Sequence, residues 1–111
     1  MEKIPLRDLD ATFLKWLGHG RSKRVEALAD ADGLMFACPK CFAENGGLVG
    51  THKVICWFAG KVPAEERPAP GRWNPSGQGF DDLTFVGPGS VSVLLNGGCG
   101  WHGFVEAGRA G

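Results

Sequence analysis

The chain has no excess of charge of either sign: twelve Lys and Arg stand against twelve Asp and Glu, for a formal net charge of +0. No overall field therefore draws it toward nucleic acid or an anionic membrane. Long hydrophobic runs are lacking as well, the longest falling far short of the ~20 apolar residues that a membrane-spanning helix needs. The start, Met1-Glu2-Lys3-Ile4-Pro5, has none of the charged-then-apolar design of a secretion signal, so the expected location is the cytoplasm. In that reducing compartment four cysteines point to metal binding rather than to disulfides.

Glycine is abundant instead, at 18 of 111 residues, against a usual share of roughly 7%. That excess predicts turns and short strands rather than long helices. Residues 1–111 read as one small domain, near the size at which a core can just stabilise itself. Glycine raises the backbone entropy lost on folding, and a crosslink between distant segments would offset the loss. A metal ion can supply that crosslink.

Two segments carry the ligands for one. Cys38-Pro39-Lys40-Cys41 and Cys99-Gly100-Trp101-His102 each offer two soft or borderline donors separated by two residues, a spacing that lets a tight turn aim both at one ion. Together, Cys38, Cys41, Cys99 and His102 predict a tetrahedral zinc site of the three-cysteine, one-histidine type. His52 is an alternative ligand, or a hydrogen-bonding residue close to the metal. A compact finger made of Cys38, Cys41, His52 and Cys56 is the main rival. If residues 51–58 form a strand, as their β-branched and aromatic content predicts, four residues at about 3.3 Å each put His52 and Cys56 roughly 13 Å apart. Ligand bonds of about 2.0 to 2.3 Å cannot close across that gap. Cys56 then reads as a small buried hydrophobe. A redox dithiol at Cys38 and Cys41 would need a helix starting at the motif to lower a thiol pKa; Gly46-Gly47 leave room for one turn at most.

Around this site the pattern predicts an α+β, mainly β fold: a small antiparallel sheet domain with an N-terminal amphipathic helix and a zinc site joining two turns. The helix spans residues 6–17, where Leu6, Leu9, Phe13, Trp16 and Leu17 recur at steps of three and four, with Pro5 in the first turn and Gly18 at the end. The zinc-bound β-rich core covers residues 25–106. A solvated basic loop (His19, Arg21, Lys23, Arg24) precedes it, and Asp32-Gly33 reads as a turn. Strands are expected at 34–37, 51–58, 83–86, 90–95 and 101–106, the last with Trp101, Gly103 and Val105 on one face and His102, Phe104 and Glu106 on the other. Residues 61–79, with Pro63, Pro68, Pro70 and Pro75, form a long Pro/Gly loop, and residues 107–111 a frayed tail. Trp16, Arg72 and Trp73 are the candidates for contact with a partner; the plainer role of Trp73 is to fold back and anchor its loop.

Several strings taken together resemble a known family: Ala31-Asp32-Gly33, Cys38-Pro39-Lys40-Cys41, Gly50-Thr51-His52, Cys56-Trp57-Phe58, Gly71-Arg72-Trp73, Asp82-Leu83-Thr84 and Gly98-Cys99-Gly100-Trp101-His102-Gly103-Phe104. Most of the chain after residue 25 is similar to small proteins of tailed phages and prophages. Some members carry the label ammonia monooxygenase, a chemistry of membrane copper sites, for which this chain offers neither a membrane span nor a histidine-rich ligand set. The resemblance implies a phage accessory protein and supplies no catalytic mechanism.

The expected function is accordingly that of a non-enzymatic phage or prophage accessory protein with a structural Cys3His zinc site, acting through a protein partner. One alternative is a zinc-dependent hydrolase with an open metal position, His52 or His102 serving as ligand or proton carrier and Asp81 or Asp82 as base. Three thiolates weigh against it, because they make the ion a poor Lewis acid. A nucleic-acid-binding zinc module is the second alternative, weakened by the neutral charge balance.

Overall fold

The computed structural model describes residues 2–111. Its elements run β1 (Ile4–Pro5), β2 (Thr12–Gly18), β3 (Arg21–Val25), β4 (Gly33–Ala37), α1 (Pro39–Asn45), β5 (Lys53–Trp57), β6 (Asn74–Ser76), β7 (Thr84–Val86), β8 (Val93–Leu94), β9 (His102–Gly103), β10 (Val105–Glu106) and β11 (Arg109–Ala110). Two 3-10 turns, Leu6–Leu9 and Leu28–Asp30, complete the set. The mainly β, antiparallel expectation is met. None of the described helices is long and apolar enough to cross a membrane.

The central element is a four-stranded antiparallel sheet in the order β3-β2-β4-β5. Its register pairs Leu34 with Cys56 and Phe36 with Val54. These four residues share one face with Phe13 and are buried in the main core. The opposite face is covered too, since Leu14, Trp57 and Val62 are buried there with Trp16, Met35 and Ile55 packed around them. Gly33 permits this second layer. A Cβ at that position would lie 2.5 Å from Cε3 of Trp57, so the indole rests where a side chain would otherwise stand. Gly33→Ala is therefore expected to destabilise the protein by about 2 kcal/mol, the usual size of an overpacking penalty, read as a lower denaturant midpoint at unchanged slope.

Burial on both faces also explains why residues 6–17 are not a helix. Only Leu6–Leu9 turn, Asp10 then takes a left-handed conformation at φ 53, and residues from Thr12 onward are extended. Phe13 feeds the main core while Leu14 and Trp16 feed the second layer. A strand with apolar residues on both faces loses the simple alternation of a half-buried strand, and its spacing then imitates a helical stripe.

The basic stretch is likewise not a loop. Arg21–Val25 pairs with β2 across a tight turn in which His19 (φ 52) and Gly20 (φ 73) both have positive φ, the requirement of a two-residue hairpin. Charged side chains on this edge strand discourage further pairing. Asp32-Gly33 is not a turn either: Asp32 donates its amide to the Leu14 carbonyl at 2.7 Å and Gly33 opens β4.

A three-stranded sheet, β1-β11-β10, draws in both ends of the chain. β11 sits in its middle, Ala110 is fully buried, and Gly111 exchanges hydrogen bonds of 3.0 and 3.1 Å with Phe104. The frayed tail expected at 107–111 is thus a central strand. The pairs β6-β7 and β8-β9 make up the remaining sheet structure. β6 lies inside the stretch read as the 61–79 loop.

Candidate metal centre

The centre grows out of the β4/β5 ladder. Cys38 follows the last residue of β4, His52 precedes the first of β5, and the Cys38 amide donates to the His52 carbonyl at 2.9 Å. They are cross-strand neighbours on the face that carries Phe36 and Val54, Cys38 buried at the end of the core and His52 exposed beside it. Between them α1 begins at Pro39, whose fixed φ suits a first helical position, and Gly46 closes it in a left-handed conformation at φ 71. This helix is longer than the single turn expected from Gly46-Gly47, and it delivers Cys41. The fourth residue, Cys99, comes from the far end of the chain. A turn closed by the Gly100 amide on the Gly97 carbonyl, with Gly98 and Gly100 at positive φ, carries it in. Lys40 fastens that turn to α1 by donating to the Cys99 carbonyl at 2.8 Å.

The ligand atoms of Cys38, Cys41, His52 and Cys99 all lie within 4.8 Å of one another. Cys38 Sγ stands 3.5 Å from Cys99 Sγ, and His52 Nε2 3.4 Å from the same sulfur. For bonds of about 2.3 Å at tetrahedral angles the ligand-ligand separation is roughly 3.8 Å. The four groups are close enough to bind one metal ion.

The thiols differ in proton affinity. Burial pushes Cys38 up to about 12, reinforced by its hydrogen bond with Cys99 and only partly opposed by the backbone amides of Cys41 and Lys40. Cys41 is also raised, first by burial and then by Cys99. Burial acts upward on Cys99 too, but hydrogen bonds from His52, the Trp101 amide, Cys38 and Cys41 outweigh it and bring this thiol down to about 7. The cluster therefore already favours one thiolate.

Cys38, Cys41 and Cys99 stand together as the spacing predicted; His102 does not stand with them. It is exposed in β9, paired with Leu94, with its ring 6.5 Å from that of Phe104. Cys99 lies inside the 97–100 turn, so the chain beyond it is already leaving the site as a strand. Trp101, Gly103 and Val105 share one face as expected; that face is the buried one, so alternation turns His102 out. His52 takes the fourth place. The signal that could have found it is the pairing of two expected strands: set antiparallel, residues 34–37 exit where residues 53–57 enter, and Cys38 faces His52. Cys56 is fully buried opposite Leu34, with its thiol pushed up by burial.

The other candidates are engaged within the fold. Trp16 Nε1 donates to Glu66 Oε1 at 2.6 Å. Trp73 stacks on Phe85 at 5.7 Å and donates to the Ser92 carbonyl at 3.0 Å, anchoring its loop. The Arg72 guanidinium donates to the carbonyls of Val62, Pro63, Glu66, Pro68 and Gly71, one for each of its five N–H groups. Asp81 is paired with Arg7 at 2.6 Å, and Asp82 accepts from the amides of Gln78 and Gly79. Both carboxyls are held below their usual range, Asp81 by its bond to Arg7 and Asp82 by those amides. No protein-family model, curated protein or solved structure matches this chain.

Proposed function

We propose that Cys38, Cys41, His52 and Cys99 hold one zinc ion as a closed, structural centre, in a phage or prophage accessory protein that acts by binding another protein. One observation carries the metal reading: four donors from three separated segments lie within 4.8 Å of one another. Three sulfurs and one imidazole nitrogen are the donor set of structural zinc, whereas magnesium, calcium and manganese favour oxygen. When bound, the ion supplies a crosslink between the β4-α1-β5 segment and the β8-β9 turn. Four protein donors leave no position for a water. Asp81 and Asp82, the carboxylates considered as bases, are already committed to Arg7 and to backbone amides. These features favour a binding protein over a hydrolase. The phage setting rests on the motif resemblance, and the choice of a protein partner on the closed set of four donors together with the engagement of Asp81 and Asp82 elsewhere.

X-ray absorption at the zinc edge tests the centre. The expected first shell is three sulfurs and one nitrogen; an oxygen in place of one of them would favour the hydrolase.

The thiol affinities add a pH signature. Cys38 and Cys41, raised above the ordinary thiol value, enter the metal-free cluster protonated at neutral pH, while Cys99 is a thiolate above about 7. Zinc uptake then displaces about two protons above pH 7 and about three below it. The affinity, measured against a competing chelator, is expected to fall on acidification with a slope of log K that steepens from about two to at least about three as pH drops through 7. A slope of three on both sides would mean that Cys99 has an ordinary thiol pKa.

A further inference from the structure

A cleft of about 490 Å³ lies between β5 and β8, with the proline loop at 68–72 as its third wall and Trp73 among its lining residues. The hydrogen-bonding parity of the two strands fixes which backbone groups face it. In the β4/β5 ladder the Cys38 amide donates to His52 and the Phe58 amide to Asp32. Residues 52, 54, 56 and 58 are therefore the paired positions, and Lys53, Ile55 and Trp57 turn their N–H and C=O away from β4. The outward carbonyl of Trp57 already accepts the Trp73 amide at 3.1 Å. Among the described residues no hydrogen bond engages the outward groups of Ile55.

The same holds across the cleft. The Leu95 amide donates to the Trp101 carbonyl, which makes 93 and 95 the positions paired with β9 and turns Leu94 outward. The Ser92 carbonyl, of the same parity, accepts the Trp73 indole N–H at 3.0 Å. Two strand edges with free backbone donors and acceptors thus line one cleft, and both are bridged at one end by Trp73.

We propose that this cleft receives an extended segment of a partner protein, which adds as a strand between β5 and β8 and joins the four-stranded sheet to the β8-β9 hairpin. The missing hydrogen-bond partners on both walls are those an extended polypeptide supplies. The lining states the chemistry of its side chains. Arg72 is the one charged residue there, and its five N–H groups are spent on loop carbonyls, so neither a phosphate nor a carboxylate finds a donor in it. Leu94, 57% exposed, with Ile55 and Pro70 offers apolar contact instead. The expected segment is uncharged and carries apolar side chains. This assignment rests on the reading of the chain as a binding protein, and on the metal only through the fold.

The test is selection of short linear peptides from a displayed random library on the zinc-loaded, full-length protein, with zinc content measured on the same samples. Proline at position 55 or 94 deletes an outward N–H and leaves the existing ladder intact. Ile55→Pro and Leu94→Pro are each expected to weaken the selected peptides at least ~10-fold. Should either variant fold poorly, amide exchange in the unaltered protein decides: Ile55 and Leu94 are expected to exchange fast alone and slowly with peptide. Zinc-loaded protein that enriches no peptide, or peptides indifferent to both prolines and to both amides, would overturn the cleft and leave the metal centre standing. Enrichment of charged sequences, or protection of the two amides by a second copy of the chain at high concentration, would also overturn it. Peptide binding through Ile55 by protein that takes up no zinc when zinc is supplied would support the cleft and overturn the centre.

Discussion

Cys99→Ser is expected to lower the thermal midpoint by ~20 °C or more, and His102→Ala to leave it where it was. Structural zinc contributes roughly 10–16 kcal/mol to the folding of small metal-bound peptides, against a total stability of about 5–15 kcal/mol for an ordinary domain. This chain has its own two-layered core, so part of its stability is independent of the metal. A loss of about 4 kcal/mol, well below the full zinc term, still moves the midpoint of a domain this small by ~20 °C. Serine keeps the size of cysteine but is a poor zinc ligand, which makes the loss one of metal rather than of packing. Cys99 is the informative thiol because it alone comes from the far segment: without it, Cys38, Cys41 and His52 tie the chain only to its near neighbourhood. His52→Ala is expected to fall with Cys99→Ser, and a strong chelator to bring the unaltered protein down to the same value. Melting curves with matched zinc analyses check all four. If His102→Ala loses metal and midpoint while His52→Ala keeps both, the fourth ligand is the one that spacing suggests.

That contrast between His102 and His52 also marks where sequence reading ends. The three cysteines are legible because a pair of thiols two residues apart, with a third in a glycine-rich turn, carries few other meanings, and Cys38 and Cys41 lie on one short segment. The fourth ligand depends on register. Spacing of three residues brings two side chains together only inside a turn, and the turn at 97–100 ends before His102. His52 reaches the site through a ladder that pairs residues fourteen apart, a relation visible only once two strands are set side by side. The helix expected over 6–17 failed for a related reason. Phe13, Leu14 and Trp16 obey the alternation of a strand, but both faces of that strand are covered, and the second cover is the proline loop, whose packing nothing local announces. The burial of Cys56 follows from the length of its strand and the shared face of Trp101, Gly103 and Val105 from alternation, and both stand as expected. The order of the tail is hidden from the sequence because Ala107 to Gly111 looks weak locally and is secured by partners far away in the chain, Ile4 and Pro5.

Arg72→Lys is expected to destabilise the protein by about 3 kcal/mol, nearly as much as Arg72→Ala. Each hydrogen bond to a charged group contributes about 1.5–3 kcal/mol, but carbonyls on a loop regain water when released, so five such bonds do not sum. Arg72 gathers the carbonyls of Val62, Pro63, Glu66, Pro68 and Gly71 around one planar cation and so sets the path of a loop with little regular structure of its own. That loop also supplies the Arg67 carbonyl to Trp57 Nε1 at 2.9 Å and the Glu66 carboxylate to Trp16. Losing the hub therefore uncovers the second face of the sheet, where Trp57 and Val62 are buried. Lysine retains the charge but brings three donors on a single nitrogen, which cannot reach five carbonyls spread around a guanidinium plane. Denaturant unfolding followed by tryptophan fluorescence gives the loss as a fall in midpoint. If Arg72 served a partner instead, Arg72→Lys would keep its stability and lose only binding. Because the same loop forms a wall of the β5-β8 cleft, a fall in stability also predicts that both Arg72 variants bind selected peptides less well than the unaltered protein, through a loosened wall rather than a lost contact.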